Sequence, residues 1–353
     1  MEKKKSTKKQ KNKFLKNEVI SLDVKKSSSF ATLLEQMSQT GFQGKNLGLS
    51  FEIWKEMIKD KRTIFLGLSG AMVPAGMRKI ITYLIENRFV DVVVSTGANL
   101  FHDGHETLGN FHFQGSPFID DKILFKHGID RIYDVFASEE EFCELDSYIE
   151  FLSYKMPSNK KFTTREYFHF LGKELSEVAI EDGIITSAYK NRVPIYCPAF
   201  GDSAIGISLA IGRHKGKSEI NFDIVKDVME TAYIVSNSPS TGIIFIGGGT
   251  PKNYIQQTEV TAKGMKINSP GHDFAIQICT DPPHWGGLSG CTFAESQSWG
   301  KIAPQARKVN LYTDATIALP ILAAALEETE RDNKNKRPYP RFSVGKDLTF
   351  EFK

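Results

Sequence analysis

Six short apolar segments, each followed within a few positions by glycine or a small polar residue, constrain the fold of this chain more than any other feature. Their apolar runs are continuous rather than alternating, which is typical of strands that are covered on both faces. The segments are Thr63–Leu66, Val90–Val94, Pro194–Cys197, Gly242–Ile246, Phe274–Cys279 and Val309–Tyr312.

Helical patterns lie between these segments, at Met77–Arg88 and Ile224–Val235, and a long apolar helix is predicted for Thr316–Glu330. Asp314 is placed to cap the start of that last helix. Strands that alternate with helices indicate a parallel α/β sheet. We predict a doubly wound, mostly parallel sheet of Rossmann-like type with helices on both faces, forming one large domain over residues 18–330.

The two ends of the chain differ from this domain in composition. Residues 1–17 hold eight lysines and one glutamate, a net charge of +7 in a chain whose total is +3. We predict a solvated, disordered tail there; contact with nucleic acid or an acidic surface is the alternative, and no nucleic-acid partner is expected. Residues 331–353 are polar, which predicts a C-terminal tail that is disordered or lies on a neighbouring chain.

Several protein classes are disfavoured by the sequence. No segment approaches the ~18 consecutive apolar residues of a membrane helix, and the charged N-terminus does not resemble a secretory signal. The expected location is therefore cytoplasmic. The four cysteines form no C-x-x-C pair and have no histidine at metal-ligand spacing, so neither a metal site nor a disulfide is predicted.

The residues after the six apolar segments predict a ligand site. Ligands of parallel α/β sheets bind at the carboxyl ends of the strands, and Gly, Ser, Thr and Asp let the backbone approach phosphate and ribose closely. The triple glycine Gly247–Gly249 is the clearest of these ends, although a simple tight turn is the alternative. No strict G-x-G-x-x-G occurs, which disfavours an ordinary dehydrogenase.

The densest chemical signal is the segment that ends at Lys301, where Glu295, Trp299 and Lys301 fall within seven positions. A lysine is nucleophilic only when burial or a neighbouring cation lets its amine lose a proton. Tryptophan offers a face to a cationic amine, and a carboxylate can hold an ammonium group. This trio suits imine chemistry on an amine substrate; the alternative is an ordinary surface lysine.

The sequence SWGKI at residues 298–302 resembles the active-site motif of the deoxyhypusine synthase family, and the resemblance extends from about Thr63 to Ala325. It includes TIFLG at residues 63–67, the triple glycine, and Asp314 with Ala315. The resemblance implies the NAD-binding fold that these enzymes share distantly with sirtuins, an NAD cofactor, and a transferase of alkyl groups (EC 2.5.1 type). It also implies a homotetramer with its sites between paired subunits.

In this family the lysine matched by Lys301 forms an imine with the aminobutyl group of spermidine, while NAD stores a hydride and later returns it. The implied NAD contacts are Ser69, Gly70, Thr96, Gly97, Ala98, Asp202, Gly249, Thr280, Asp281, Asp314 and Ala315. The implied substrate pocket contains Glu295, Trp299, Ser289 and Lys301.

Some pocket positions depart from the family pattern. Ile207 and Leu288 stand where eukaryotic enzymes have carboxylates, Tyr254 stands where a histidine is expected, and His102 and Trp285 replace acids. Because an unpaired buried charge is costly, fewer acids favour a shorter or differently charged amine, or one held by Tyr254 or His102. Packing is the alternative role for those two residues.

Three functions remain open from the sequence. The leading one is an aminoalkyl transferase with a small-amine acceptor, as in homospermidine synthases, because STGANLFHD and GGGTPKNYI resemble the bacterial deoxyhypusine synthase-like branch. The second is a true deoxyhypusine synthase that modifies a lysine of a translation factor. The third is a non-catalytic NAD-binding protein. A sirtuin-type deacylase is disfavoured because paired zinc cysteines are absent.

Overall fold

The computed structural model describes residues 15–267, 269–331, 337–345 and 347–352. Most of the predicted basic tail, residues 1–14, lies outside the described residues, and residues 15–17 are exposed. In the part of the chain that is described, no helix combines the length and apolar character needed to cross a membrane.

The elements alternate along the chain as the apolar pattern predicts. The strands are β1 (Thr63–Leu68), β2 (Val92–Ser95), β3 (Phe113–Gln114), β4 (Ile129–Ile132), β5 (Val135–Ser138), β6 (Lys161–Phe162), β7 (Ile195–Tyr196), β8 (Asn221–Phe222), β9 (Thr241–Ile246), β10 (His272–Ile278), β11 (Ile302–Leu311), β12 (Pro340–Ser343) and β13 (Thr349–Phe352). The α-helices are α1 (Phe30–Met37), α2 (Phe42–Met57), α3 (Arg78–Glu86), α4 (Gly97–Thr107), α5 (Asp121–Lys126), α6 (Glu139–Ser153), α7 (Thr164–Val178), α8 (Ile184–Asn191), α9 (Ala204–His214), α10 (Ile224–Ser236), α11 (Gly249–Gly264), α12 (Phe293–Ser298) and α13 (Ala315–Glu330). Short 3-10 helices cover Val24–Lys26 and Pro283–Trp285, and a π-helical turn covers Val73–Met77.

The main sheet has six parallel strands in the order β11-β10-β9-β1-β2-β7. Each of these strands overlaps one of the six apolar segments, so the predicted parallel α/β sheet is confirmed. The chain winds outward from β1 through β2 to β7, and in the other direction from β9 through β10 to β11. The winding therefore reverses between β1 and β9, which is where open α/β sheets bind ligands.

Both faces of the sheet are buried along β1, β2 and β9, which explains why these strands are mostly apolar, whereas the edge strand β11 has exposed positions. Leu66 and Ile244 belong to a large hydrophobic cluster on one face. Phe65 and Ile243, their neighbours in sequence, belong to a second cluster on the other face. Because side chains alternate across a strand, both clusters need apolar residues at consecutive positions.

A small antiparallel sheet, β3-β5-β4, occupies the region between α4 and α6 that has no regular apolar pattern in the sequence. Large aromatic side chains are exposed in and beside this small sheet. They are Phe111, Phe113, Phe118, Phe125 and Tyr133.

The C-terminal segment differs from the predicted polar tail. Strands β12 and β13 form an antiparallel hairpin, and Phe342 is buried in the second hydrophobic cluster. Arg337 donates to both carboxylate oxygens of Asp91, at 3.1 and 2.6 Å, and Arg165 donates to the carbonyl of Val344 at 2.8 Å. Two buried arginines with distant partners therefore attach this polar segment, and the folded domain extends beyond residue 330 to the end of β13.

Candidate functional site

A cavity of about 350 Å³ opens at the carboxyl ends of β1, β9, β10 and β11. Eight of the residues predicted for the site line it: Ser69, Gly70, Gly249, Thr280, Asp281, Ser289, Asp314 and Ala315. The cavity includes the β1–β9 boundary, where the winding reverses. We call this cavity the cleft.

The triple glycine forms the turn between β9 and α11 and one wall of the cleft. Gly247 and Gly249 have φ angles of 75° and 57°, which glycine adopts without strain. A Cβ atom on Gly248 would lie 2.5 Å from the Cα of Ser289. The Gly249 N–H donates to Ser289 Oγ at 3.0 Å. The N-terminus of α11 thus lies at the cleft wall, where helix termini favour anionic groups.

Asn99 joins the loops that follow β1 and β2. Its Nδ2 donates to the Gly70 carbonyl at 2.8 Å and to Thr96 Oγ1 at 3.1 Å, and its Oδ1 accepts the Met72 N–H at 2.9 Å. Asn99 is fully buried. Asn99 is not among the residues predicted for the site, although its position four residues after the end of β2 was an available signal.

The remaining predicted cofactor residues lie at neighbouring strand ends rather than on the cleft wall. Thr96–Ala98 follow β2 and begin α4, and Asp202 is exposed in the loop between β7 and α9. A Cβ atom on Gly97 would lie 2.2 Å from the Cβ of Ser203, so these two loops are closely packed. The predicted set is therefore divided between the cleft and the adjacent ends of β2 and β7.

Lys252 lies beneath the cleft and was missed by the sequence analysis. It is fully buried, and its Nζ donates to Gln277 Oε1 at 2.9 Å and to the carbonyls of Ser289 at 3.0 Å and Cys291. Burial lowers the pKa of Lys252 to about 8. These bonds hold the Ser289–Cys291 segment against α11. A lysine one turn after a glycine-rich turn was the available signal.

Asp314 caps α13 at the carboxyl end of β11. Its Oδ1 accepts the Thr316 N–H at 2.7 Å, as the sequence predicts. The same exposed side chain lines the cleft and also a neighbouring cavity of about 740 Å³. Helix capping and a ligand contact are thus compatible at this residue.

Lys301 lies between α12 and β11. Its Nζ is 5.4 Å from the ring centroid of Trp299, and Trp299 is 66% exposed. The Lys301 carbonyl accepts the His272 N–H at 3.1 Å, so its backbone lies at the amino ends of β10 and β11, away from the strand ends that form the cleft. Lys301 does not line the cleft. The charges of Lys301 and Glu295 do act on the buried ammonium of Lys252.

Comparison with known proteins assigns the family. The family model described as deoxyhypusine synthase matches residues 32–326, which is most of the chain. The chain belongs to the deoxyhypusine synthase family. Membership makes it a transferase of the EC 2.5.1 class and supports aminobutyl transfer in general.

Relatives in this family come from archaea and bacteria. The chain is 50% identical over 344 residues to probable deoxyhypusine synthase 2 of Methanosarcina acetivorans, covering 97% of this chain and 99% of the relative. It is 35% identical over 315 residues to the deoxyhypusine synthase-like protein of Chlorobaculum tepidum, covering 88% and 89%. The fold also resembles the crystal structure of a deoxyhypusine synthase candidate from Entamoeba histolytica, with a TM-score of 0.61, 19% identity, and coverage of 87% and 96%.

Tyr254 and His102, both predicted for the substrate pocket, pack against other residues of the same chain and lie away from the cleft. The Tyr254 ring packs against the second hydrophobic cluster, and its hydroxyl lies 3.3 Å from Thr231 Oγ1. His102 Nδ1 lies 2.9 Å from His112 Nε2, and burial together with His112 lowers the pKa of His102 to about 3. Neither side chain lines the cleft. Both side chains thus have packing contacts within the single chain, and a substrate contact for either one stays a prediction.

Apolar side chains at the altered positions are exposed. Trp285 is 78%, Ile207 57% and Leu288 44% exposed, and Trp299 lies on the same segment as Leu288. Within the described residues, no group of three or more His, Cys, Asp or Glu side chains is arranged to hold a metal ion.

Proposed function

We propose that this deoxyhypusine synthase family member is an NAD-dependent aminoalkyl transferase that passes an aminobutyl-type group from a polyamine to a small amine through an imine on Lys301. The observation that carries the proposal is the Lys301–Trp299 contact in a chain that also has a glycine-lined cleft. Because Lys301 lies at the other edge of the sheet, the proposal requires that Lys301 of one subunit meets the cleft of a second.

The cleft has features that suit a dinucleotide. The N-terminus of α11 can face a pyrophosphate, and at Gly248 there is no room for a side chain. The carboxylate of Asp314 can accept hydrogen bonds from ribose hydroxyls. The larger neighbouring cavity shares Met72 and Asp314 with the cleft, so the two together can hold an extended ligand.

The proposed reaction has no net oxidation. The carbon of the aminobutyl group that is bonded to the secondary nitrogen of the donor loses a hydride. That nitrogen loses a proton, and a C=N bond forms between the two atoms. Lys301 Nζ attacks this carbon and expels the rest of the donor as a free amine, leaving the aminobutyl group as an imine on Lys301. The acceptor amine attacks the same carbon and releases Lys301, and the returning hydride, together with a proton that replaces the one lost in the first step, gives a secondary amine. Bound NAD supplies the storage of that hydride.

The chain's own side chains have separate roles in this scheme. The Trp299 face can hold the cationic substrate beside Lys301, and the Glu295 carboxylate can pair with the distal ammonium. Ile207 and Leu288 provide no carboxylate for a third ammonium group. The proposal of a small acceptor amine rests on this lack of anionic partners.

The proposed site is completed by a second copy of the chain within a homotetramer. An imine hydrolyses in water, so the reacting atoms need a covered site, yet Trp299 and Leu288 are exposed in the single chain. A partner subunit over this segment would bury both side chains and exclude water from Lys301.

An amine panel tests the proposed function. Purified protein is incubated with NAD, spermidine and either putrescine or 1,5-diaminopentane, and the products are identified by mass spectrometry. We expect an aminobutylated small amine, formed only when NAD is present. Turnover that requires a translation-factor lysine as acceptor would instead support deoxyhypusine synthase activity, the second candidate, which the names of the archaeal relatives favour.

Gly248→Ala tests the cofactor assignment. The new Cβ would meet the Ser289 backbone, so the turn must shift, and we expect NAD affinity to fall by about tenfold or more. Gly287→Ala is the matched control, because its Cβ would have no neighbour within 4 Å. Calorimetric titration with NAD measures both variants. Equal NAD affinities for the two variants would contradict the placement of NAD in the cleft.

A further inference from the structure

A third cavity, of about 330 Å³, lies at the edge of the sheet opposite to the cleft. Arg88 and Arg192 line it, and these residues precede β2 and β7, two adjacent parallel strands. Tyr339 and Arg341 of the C-terminal segment complete its wall. The cavity therefore lies where the hairpin meets the amino edge of the sheet, remote from the carboxyl ends that form the cleft.

Positive charge in this cavity is not balanced. Glu86 is the one carboxylate among the lining residues, and its Oε1 accepts the Ser187 hydroxyl at 2.9 Å. Among the described residues, Arg88, Arg192 and Arg341 form no ion pair with a carboxylate. Asp91, whose charge acts on Arg88, already accepts two hydrogen bonds from Arg337. The one lysine that lines the cavity, Lys190, forms an ion pair with Asp182.

Arg88 is the central member of this cluster. It is only 8% exposed, its guanidinium lies 4.7 Å from the Tyr339 ring centroid, and its Nη2 donates to the Asn191 carbonyl. Its Nη1 is buried and has no acceptor among the described residues. Buried polar groups are nearly always paired, and an unpaired one in a native structure often marks an absent water or ion.

The backbone adds an independent observation. Arg88 and Arg192 have φ angles of 57° and 53°, and each stands just after the end of a helix, α3 and α8 respectively. Glycine is the preferred residue at this left-handed position, because a Cβ is strained there. Here both left-handed positions are occupied by arginine, and both arginines line the same cavity. Because glycine would suit the turns better, these arginines indicate a role for their side chains.

We propose that this cavity binds a phosphate-type oxyanion between the sheet edge and the C-terminal hairpin. Arginine is suited to this ligand because its planar fork donates two parallel hydrogen bonds to phosphate oxygens. The ligand is either free inorganic phosphate or the phosphate group of a small metabolite. Binding would neutralise the cluster and tie Arg341 of the hairpin to Arg192 of the sheet edge, so it would stabilise the fold.

Thermal unfolding of the full chain at constant ionic strength tests the proposal, with inorganic phosphate, glycerol 3-phosphate and chloride as probes. We expect millimolar inorganic phosphate or glycerol 3-phosphate to raise Tm by about 2–4 °C relative to chloride. A rise with both probes indicates recognition of the oxyanion alone, and a rise with glycerol 3-phosphate only indicates an organic phosphate. Equal Tm values in all three solutions would overturn the proposal.

Two variants locate the site. Arg192→Gly removes one charge and relaxes the left-handed turn, so it should fold normally yet lose most of the phosphate-induced rise. Arg341→Gln should do the same without altering a turn, whereas Lys126→Gln, on the exposed surface of α5, should keep the full rise. A rise that persists in both arginine variants would place the phosphate elsewhere, for example in the cleft, and refute the proposal.

Discussion

Lys301→Ala is expected to lower aminoalkyl transfer by roughly 10³-fold or more, because no other group is proposed to carry the imine. NAD affinity should change little, since Lys301 does not line the cleft. Lys301→Arg should be equally inactive, because arginine keeps the charge over Trp299 but does not form the imine. Steady-state assays of amine transfer, with calorimetric NAD titration, measure both effects.

The matched control for these variants is Lys263→Ala. Lys263 ends α11, and its Nζ lies close to Gly300, so it is a neighbouring lysine with no assigned role in the reaction. It should keep nearly full turnover. If Lys301→Ala retained turnover comparable to that of Lys263→Ala, the covalent role of Lys301 would be wrong.

Asp91→Ala is expected to lower the free energy of unfolding by about 3–5 kcal/mol, because it leaves the buried guanidinium of Arg337 without its counter-charge. Asp91 and Arg337 are 0% and 4% exposed, and Asp91 also accepts the Ile64 N–H at 2.8 Å. The pair connects the C-terminal segment to the amino edge of the sheet. Chemical denaturation followed by circular dichroism measures the change.

Two comparisons make this test specific. Arg337→Met combined with Asp91→Ala should cost less than the sum of the two single changes, since the pair is then removed as a unit. Arg131→Met breaks the exposed pair with Asp121 and should have little effect, because solvent screens exposed charges. A small effect of Asp91→Ala, equal to that of Arg131→Met, would show that the hairpin is not held by this buried pair.

The sheet and the cleft could be predicted because their signals are local. A strand buried on both faces must be apolar at consecutive positions, and Val92–Ser95 and Thr241–Ile246 meet that condition within a few residues. Parallel strands place their carboxyl ends on one edge. The sequence therefore predicts that the residues after β1, β9, β10 and β11 lie close together.

The C-terminal hairpin could not be predicted in the same way, because its attachment depends on distant partners. Arg337 pairs with Asp91, and Arg165 contacts Val344 while pairing with Glu230. A polar sequence does not reveal that an arginine will be buried, since burial depends on where the carboxylate lies in the fold.

The site residues show a similar limit. Lys252 was overlooked because a lysine is normally exposed, and only the fold supplies the carbonyls of Ser289 and Cys291 that allow its burial. Tyr254 was matched to the pocket by sequence position. Tyr254 lies in α11, where the direction of a side chain depends on its position around the helix axis. At this position the ring points toward the second hydrophobic cluster.

Borohydride trapping tests the central claim most directly. The wild-type protein is incubated with NAD and spermidine, reduced with borohydride, digested and mapped by mass spectrometry. The proposed function predicts an aminobutyl adduct on the peptide that contains Lys301, absent when NAD is omitted. Turnover without any adduct, or an adduct confined to another lysine, would contradict it.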